Sequence, residues 1–206
     1  ETKHYDLLTG LPMRALGEQL IAEFMKEHSG CLVFLDMDNL KKINDIHGHK
    51  AGDRALKNLG NLLSRYTIDG LACRLGGDEF LLFLPDVTAE SVSDTMAQLF
   101  KQFHAIAQAD TEIRYASLSA GLCLCTIGDT FADCYAKADK ALYFVKQNGK
   151  NQFSFYQQIN YQAPGSASIA RDLRQIADSL RQSGSYAGAL DLNYRDFSRQ
   201  YEYMNQ

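Results

Sequence analysis

The stretch "LACRLGGDEFLLFLP", Leu71 to Pro85, constrains the fold more than any other part of the chain. Two apolar runs flank Gly76 and Gly77 with no room for a helical connection. Such runs must lie side by side as an antiparallel hairpin. The glycines permit positive φ at the turn and leave bare backbone there. The acids beside them, Asp78 and Glu79, are either solvated turn residues or ligands. The neighbouring strands decide between the two.

"CLVFLDMD" (31–38) is a short apolar run ending in acids and reads as a buried strand. Residues 11–28 carry apolar side chains at helical spacing, as do 53–66 with Leu56, Leu59, Leu62 and Leu63. "NLKKINDIH" reads as a helix that "GHKAG" breaks. Residues 88–108 form a helix with Thr88 as N-cap. A long strand is expected over 113–127, then a helix over 131–151 stopping near Gly149, and a last strand at "FSFY". Strand–helix–strand, hairpin, helix and strand make an α+β chain with a ferredoxin-like (split βαβ) sheet. It resembles the palm-type sheet of nucleotide cyclases, and the helices are expected on one face. Residues 1–156 then form the domain. Residues 157–206, opening with the Pro, Gly and Ser of "NYQAPGSAS", read as a linker and helical extension leading to a further domain.

Composition narrows the function. The 206 residues are 46% hydrophobic and 11% aromatic, enough for a core and too apolar for disorder. A net charge of −4 gives no basic face for nucleic acid. No run of about 18 apolar residues offers a membrane span. The first residue is Glu1 rather than Met, so the chain reads as a piece of a longer protein. Of five cysteines, Cys31, Cys73, Cys123 and Cys125 sit in apolar runs. The spacing of Cys123 and Cys125 would suit a metal clip, but the apolar context favours small core residues in a reducing compartment. That points to the cytoplasm.

Residues i and i+2 of a strand share a face, so Asp36 and Asp38 both project at the end of theirs. Beside a turn carrying two more acids, they offer the hard oxygens that Mg²⁺ prefers. Two such metals can clamp a nucleotide's α-phosphate during in-line attack by a hydroxyl. A solvated acidic strand end remains the alternative when "DMD" is taken alone.

"RLGGDEF" (74–80) resembles the signature of the GGDEF family of diguanylate cyclases. "YDLLTGLPMR" (5–14) resembles the family's opening motif, "FLDMDNLKKINDIHGHKAGD" (34–53) its metal and base motif, and "ADKALYFVKQNGKN" (138–151) its closing helix. The four blocks occur in family order. The resemblance implies an Mg²⁺ site, with Mn²⁺ as an alternative, at Asp36, Asp78 and the Met37 carbonyl. It implies that Glu79 helps position metal or hydroxyl. Asn44 and Asp53 would read guanine, whose N1–H and N2–H₂ donate to a carboxylate as adenine cannot. Lys41 and Lys146 would neutralise the triphosphate, Lys41 counting with Asp78 and Glu79 among the catalytic groups, and Lys150 would assist. Gly76 and Gly77 would leave space for the nucleotide.

The resemblance further implies GTP as substrate and a second GGDEF domain as partner, each supplying one GTP to form cyclic di-GMP. An upstream sensory or receiver domain would control that pairing. A GTP-binding regulatory module without turnover is the alternative, and an interaction domain using the helical tail is a third. Leu40 stands for a usual Phe, a packing change, Leu75 for a frequent aromatic and Met13 for a common Asn. The Arg-x-x-Asp positions of the family's feedback site hold Thr67 and Gly70, and Arg65 and Asp69 are wrongly spaced. Product inhibition through that site is expected to be weak or absent.

Overall fold

Every residue of the first strand, β1 (Gly30–Asp38), is buried. Its apolar residues occupy both parities, so both faces of the strand need cover. In the computed structural model, which describes residues 4–67 and 71–159, β1 is the middle strand of a five-stranded sheet. The others are β2 (Ala72–Gly76), β3 (Glu79–Pro85), β4 (Ser117–Cys125) and β5 (Phe153–Phe155), in the order β2-β3-β1-β4-β5. β1 runs antiparallel to β3 and β4, β2 antiparallel to β3, and β5 parallel to β4. The first four strands have the split βαβ arrangement expected from the sequence.

The helices are α1 (Arg14–Phe24), α2 (Leu40–His47), α3 (His49–Tyr66), α4 (Ala89–Gln108), α5 (Phe131–Gln147) and the single turn α6 (Tyr156–Ile159). They cover both faces of the sheet, not one. Val33 and Leu35 of β1 pack with Leu59 and Leu63 of α3 and Met96 and Phe100 of α4. Leu32 and Phe34, pointing the other way, pack with Ile21 of α1 and with Ala138 and Leu142 of α5. A strand apolar at every position cannot present one face to water, which is why the one-sided expectation fails.

Other boundaries moved for local reasons. The α2–α3 break is Gly48 alone, at φ +84°, and α3 begins at His49. β4 starts late because 113–116 turns back on itself, Ala116 N–H donating to the Ile113 carbonyl at 2.8 Å. It ends where Thr126 N–H donates to the Asp129 carboxylate at 2.7 Å. Thr88 caps α4 as expected, its hydroxyl accepting from Ser91 N–H. Gln157 bonds to both backbone groups of Leu124, so the folded unit continues past the expected boundary at 156. The linker and extension from 160 onward lie outside the described residues, as does Gly70. No helix among the described residues is long and apolar enough to cross a membrane.

Candidate functional site

The hairpin and the end of β1 meet. Gly76 pairs with Glu79, leaving Gly77 and Asp78 as the two connecting residues. Gly76 (φ +144°) and Gly77 (φ +51°) both use conformations that favour glycine. The acid therefore sits on the turn itself. Met37 N–H donates to the Asp78 carbonyl at 2.9 Å, and Glu79 lies opposite Asp36 in the ladder. From the other side, the Arg74 guanidinium donates to the Gly77 carbonyl at 2.6 and 3.1 Å and pairs with Asp6 at 3.0 Å. Asp6 also accepts from the N–H and hydroxyl of Thr9. Partial burial pushes the Asp6 carboxyl up, but its bonds to Thr9 and Arg74 hold it below the usual range. The opening "YDLLTGLPMR" thus serves as the brace of the hairpin.

Asp36 is the most perturbed acid of the site. Its side chain is 8% exposed and pairs with Lys146 Nζ of α5 at 2.9 Å. Burial, together with the nearby Asp78 and Asp38 carboxylates, pushes its pKa up to about 6 against the pull of Lys146. Lys146 is half-buried. Its burial works against the charge, yet the contact with Asp36 raises its pKa on balance. A buried carboxylate beside a second acid, compensated by one ammonium, is an arrangement that a divalent cation would satisfy better.

These residues open onto a cleft of about 520 Å³ lined by Asp36, Met37, Lys41, Asp78, Lys146 and Lys150, with the α2 residues around them. Six of the expected site residues therefore converge. Asn44 and Asp53 stand apart from this cleft, at the corner of α2 and α3. Asp53 is exposed. Asn44 faces Gly52, and its Oδ1 is the buried side-chain oxygen without a hydrogen-bond partner among the described residues. Such an atom is costly to leave unpaired, and a ligand donor would complete it.

Gly76 and Gly77 line a second hollow, of about 540 Å³, on the Arg74 side of the hairpin, together with His4, Met13 and Arg14. They are not on the wall of the Asp36 cleft. Asp38 also lines the Asp36 cleft, but its carboxylate is already engaged. It is buried and accepts from Ser117 Oγ (2.8 Å), Ser119 Oγ (2.8 Å) and Asn151 N–H (3.2 Å). It anchors the turn after α5, where Lys150 and Asn151 take positive φ, and so sets the position of Lys150. Arg74, Asp6 and the serines escaped sequence reasoning. The alternation "SLS" in β4 was the available signal for the serines.

Comparison with known proteins agrees with this fold. Residues 3–152 match the family described as diguanylate cyclase, GGDEF domain. The probable diguanylate cyclase DgcE of Escherichia coli is 33% identical over 165 residues, which is 74% of this chain and 15% of DgcE. The cyclic di-GMP phosphodiesterase PdeR of the same organism is 30% identical over 156 residues, 73% of this chain and 24% of PdeR. The chain thus spans less than a quarter of either relative. A microbial GGDEF domain, solved in a study of its interaction with cyclic di-GMP, superposes with a TM-score of 0.66. It is 29% identical, with 74% of this chain and 98% of that one covered. A buried Asp36 and a braced Gly-Gly-Asp-Glu hairpin on a split βαβ sheet, matched over most of the chain, identify it as belonging to the GGDEF family of diguanylate cyclase domains.

Proposed function

We propose that this domain is an active diguanylate cyclase that condenses two GTP molecules to cyclic di-GMP and two pyrophosphates, paired with a second GGDEF domain. The observation that carries this reading is the buried Asp36 carboxylate, set against Lys146 in a cleft it shares with Asp78. In each half-reaction the 3′-oxygen of one GTP bonds to the α-phosphorus of the other. The bond from that phosphorus to the α,β-bridging oxygen breaks, pyrophosphate leaves, and the hydroxyl proton passes to solvent or a nearby base.

Asp36, Asp78 and the Met37 carbonyl would hold Mg²⁺, or Mn²⁺ in its place. When bound, the metal supplies charge neutralisation on the α-phosphate and a more acidic attacking hydroxyl. Lys146, released from Asp36, turns its ammonium to the phosphates, joined by Lys41 and Lys150. Glu79, across the ladder from Asp36, helps hold the attacking hydroxyl or the metal. The Asn44 amide pairs with an acceptor of the guanine base while its buried Oδ1 accepts one N2–H, and Asp53 accepts from N1–H and the other N2–H. A monomer holds half the reactants, so an upstream sensory or receiver domain that controls pairing would control output in the cytoplasm.

Pyrophosphate release from GTP and Mg²⁺ by an artificially dimerised domain tests the proposal. Turnover is expected, and Asp78→Asn abolishes it. GTP binding without pyrophosphate release would leave a regulatory GTP-binding module, and absence of GTP binding would refute the site.

A further inference from the structure

At the far end of α5 from Lys146, three sulfurs meet. Cys123 and Cys125 project from one face of β4, and Cys134 comes from the first turn of α5. Their Sγ atoms all lie within 4.8 Å of one another, and all three residues are buried. The sequence pattern of the strand favours plain core packing. The helix adds the third thiol, which the strand spacing cannot reveal. We infer that Cys123, Cys125 and Cys134 bind one thiophilic closed-shell cation, Cu(I) or Zn(II), fastening α5 to β4.

The donor set decides the class of ligand. Among the described residues the group holds sulfur and no imidazole or carboxylate. Thiolates select Cu(I) and Zn(II) over the hard cations that suit Asp36 and Asp78. Three sulfurs around a metal at about 2.3 Å stand roughly 4.0 Å apart in a trigonal plane. The observed spacing needs only small side-chain rotations to reach this.

The surroundings suit an anionic sulfur cluster. Cys134 lies in the first turn of a 17-residue helix, where the macrodipole favours negative charge. The S–H groups of Cys125 and Cys134, and more weakly Lys137 one turn further on, lower the thiol pKa of Cys123, while those same contacts and burial push the other two thiols up, Asp129 adding to the rise at Cys134. Gln157 donates to Cys123 Sγ at 3.9 Å and is itself held by Leu124, an outer contact of the kind that orients metal ligands. A disulfide accounts for the group less well. Cys123 and Cys125 are strand residues i and i+2, about 6.7 Å apart at Cα, the far limit for a bond, and any pairing strands the third sulfur. Binding involves no electron transfer. Each thiol that becomes a ligand releases its proton to solvent, and Lys137 offsets part of the remaining negative charge.

The test loads the reduced, metal-free chain anaerobically with Cu(I), and separately with Zn(II), against a chromophoric chelator of each. X-ray absorption then counts the sulfur neighbours. One equivalent of either metal, three sulfur neighbours and a raised melting temperature are expected. Cys125→Ala and Cys134→Ala each remove a direct ligand and lower affinity by more than the roughly 10–100-fold that loss of an outer partner costs. Cys73→Ala, which lies outside the group, leaves affinity unchanged. Circular dichroism of each variant without metal separates misfolding from lost ligation, and the sulfur count on the unaltered chain needs no variant. Failure of both metals to outcompete the chelators, or binding that survives Cys125→Ala, overturns the inference. Three-sulfur Cu(I) and a Zn(II) site with an added water both support it, and the count tells them apart.

Discussion

Gly52→Ala tests the proposed nucleotide-reading role of Asn44 apart from any role in folding. A methyl group at Gly52 meets Asn44 Oδ1 at 2.0 Å, its Cγ at 2.9 Å and Leu40 Cδ1 at 3.1 Å. Ordinary contact begins near 3.4 Å, so the amide must retreat by roughly 1.4 Å. It can, because it is the end of a side chain with two free torsions. Alanine in place of a helical glycine favours α3 by about 1 kcal/mol. Releasing an unpaired buried oxygen relieves about 1–3 kcal/mol more. The nucleotide-free domain should therefore unfold at the same urea concentration as the original, or a higher one. The amide is then out of place for the base. Loss of one hydrogen bond, about 1–1.5 kcal/mol, weakens GTP roughly 5–15-fold. Titration calorimetry with a non-hydrolysable GTP analogue, beside urea unfolding, measures both. Asn44→Ala should give a similar loss, and the double variant little more than either. Additive losses, or unchanged GTP affinity in the single variants, refute the assignment of Asn44.

Three other perturbations follow from the same contacts. In metal-free buffer the folded chain binds a proton at Asp36 that the unfolded chain lacks between pH 3.8 and about 6, so stability falls as pH rises through that window. Asp36→Asn should therefore stabilise the metal-free domain at pH 7 by about 1–3 kcal/mol, with no gain below pH 4, while abolishing turnover; urea midpoints across pH check the sign. Arg74→Met removes both bonds to the Gly77 carbonyl and leaves Asp6 with its Thr9 bonds but no cation; a loss of about 2 kcal/mol in chemical denaturation and a fall in kcat are expected. Asp38→Ala strands the Ser117 and Ser119 hydroxyls and leaves Asn151 N–H only its bond to Ser119 Oγ. It should cost about 2–4 kcal/mol and raise the KM for GTP as Lys150 loses its anchor, read by unfolding and steady-state kinetics.

What the sequence reveals about this fold is what neighbouring residues decide together. The hairpin at Gly76 and Gly77, the buried β1 and the Thr88 cap are each specified within a few residues, and each is found. The two-sided cover of the sheet was also written in "CLVFL", whose apolar residues fill both parities. Side-chain partners are another matter. Asp38 looks like Asp36 in the chain, yet it is hydrogen-bonded by hydroxyls 79 and 81 residues away and by a backbone N–H at 113. Arg74 reaches back 68 residues to Asp6. No local pattern encodes such pairings, because register and helix placement create them. Family motifs bring the site residues together as a set. The split between the Asp36 cleft and the Asn44 corner is visible only in three dimensions.

The contact between Asp36 and Lys146 joins groups 110 residues apart in the chain. At ribosomal rates of about 5–20 residues per second, the acidic end of β1 waits roughly 5–20 s before its ammonium partner is made. β1 also lies between β3 and β4, so the sheet's middle stays open until β4 has been made. An incomplete nascent chain therefore cannot assemble the cleft around Asp36, which closes only once α5 and Lys150 have been made.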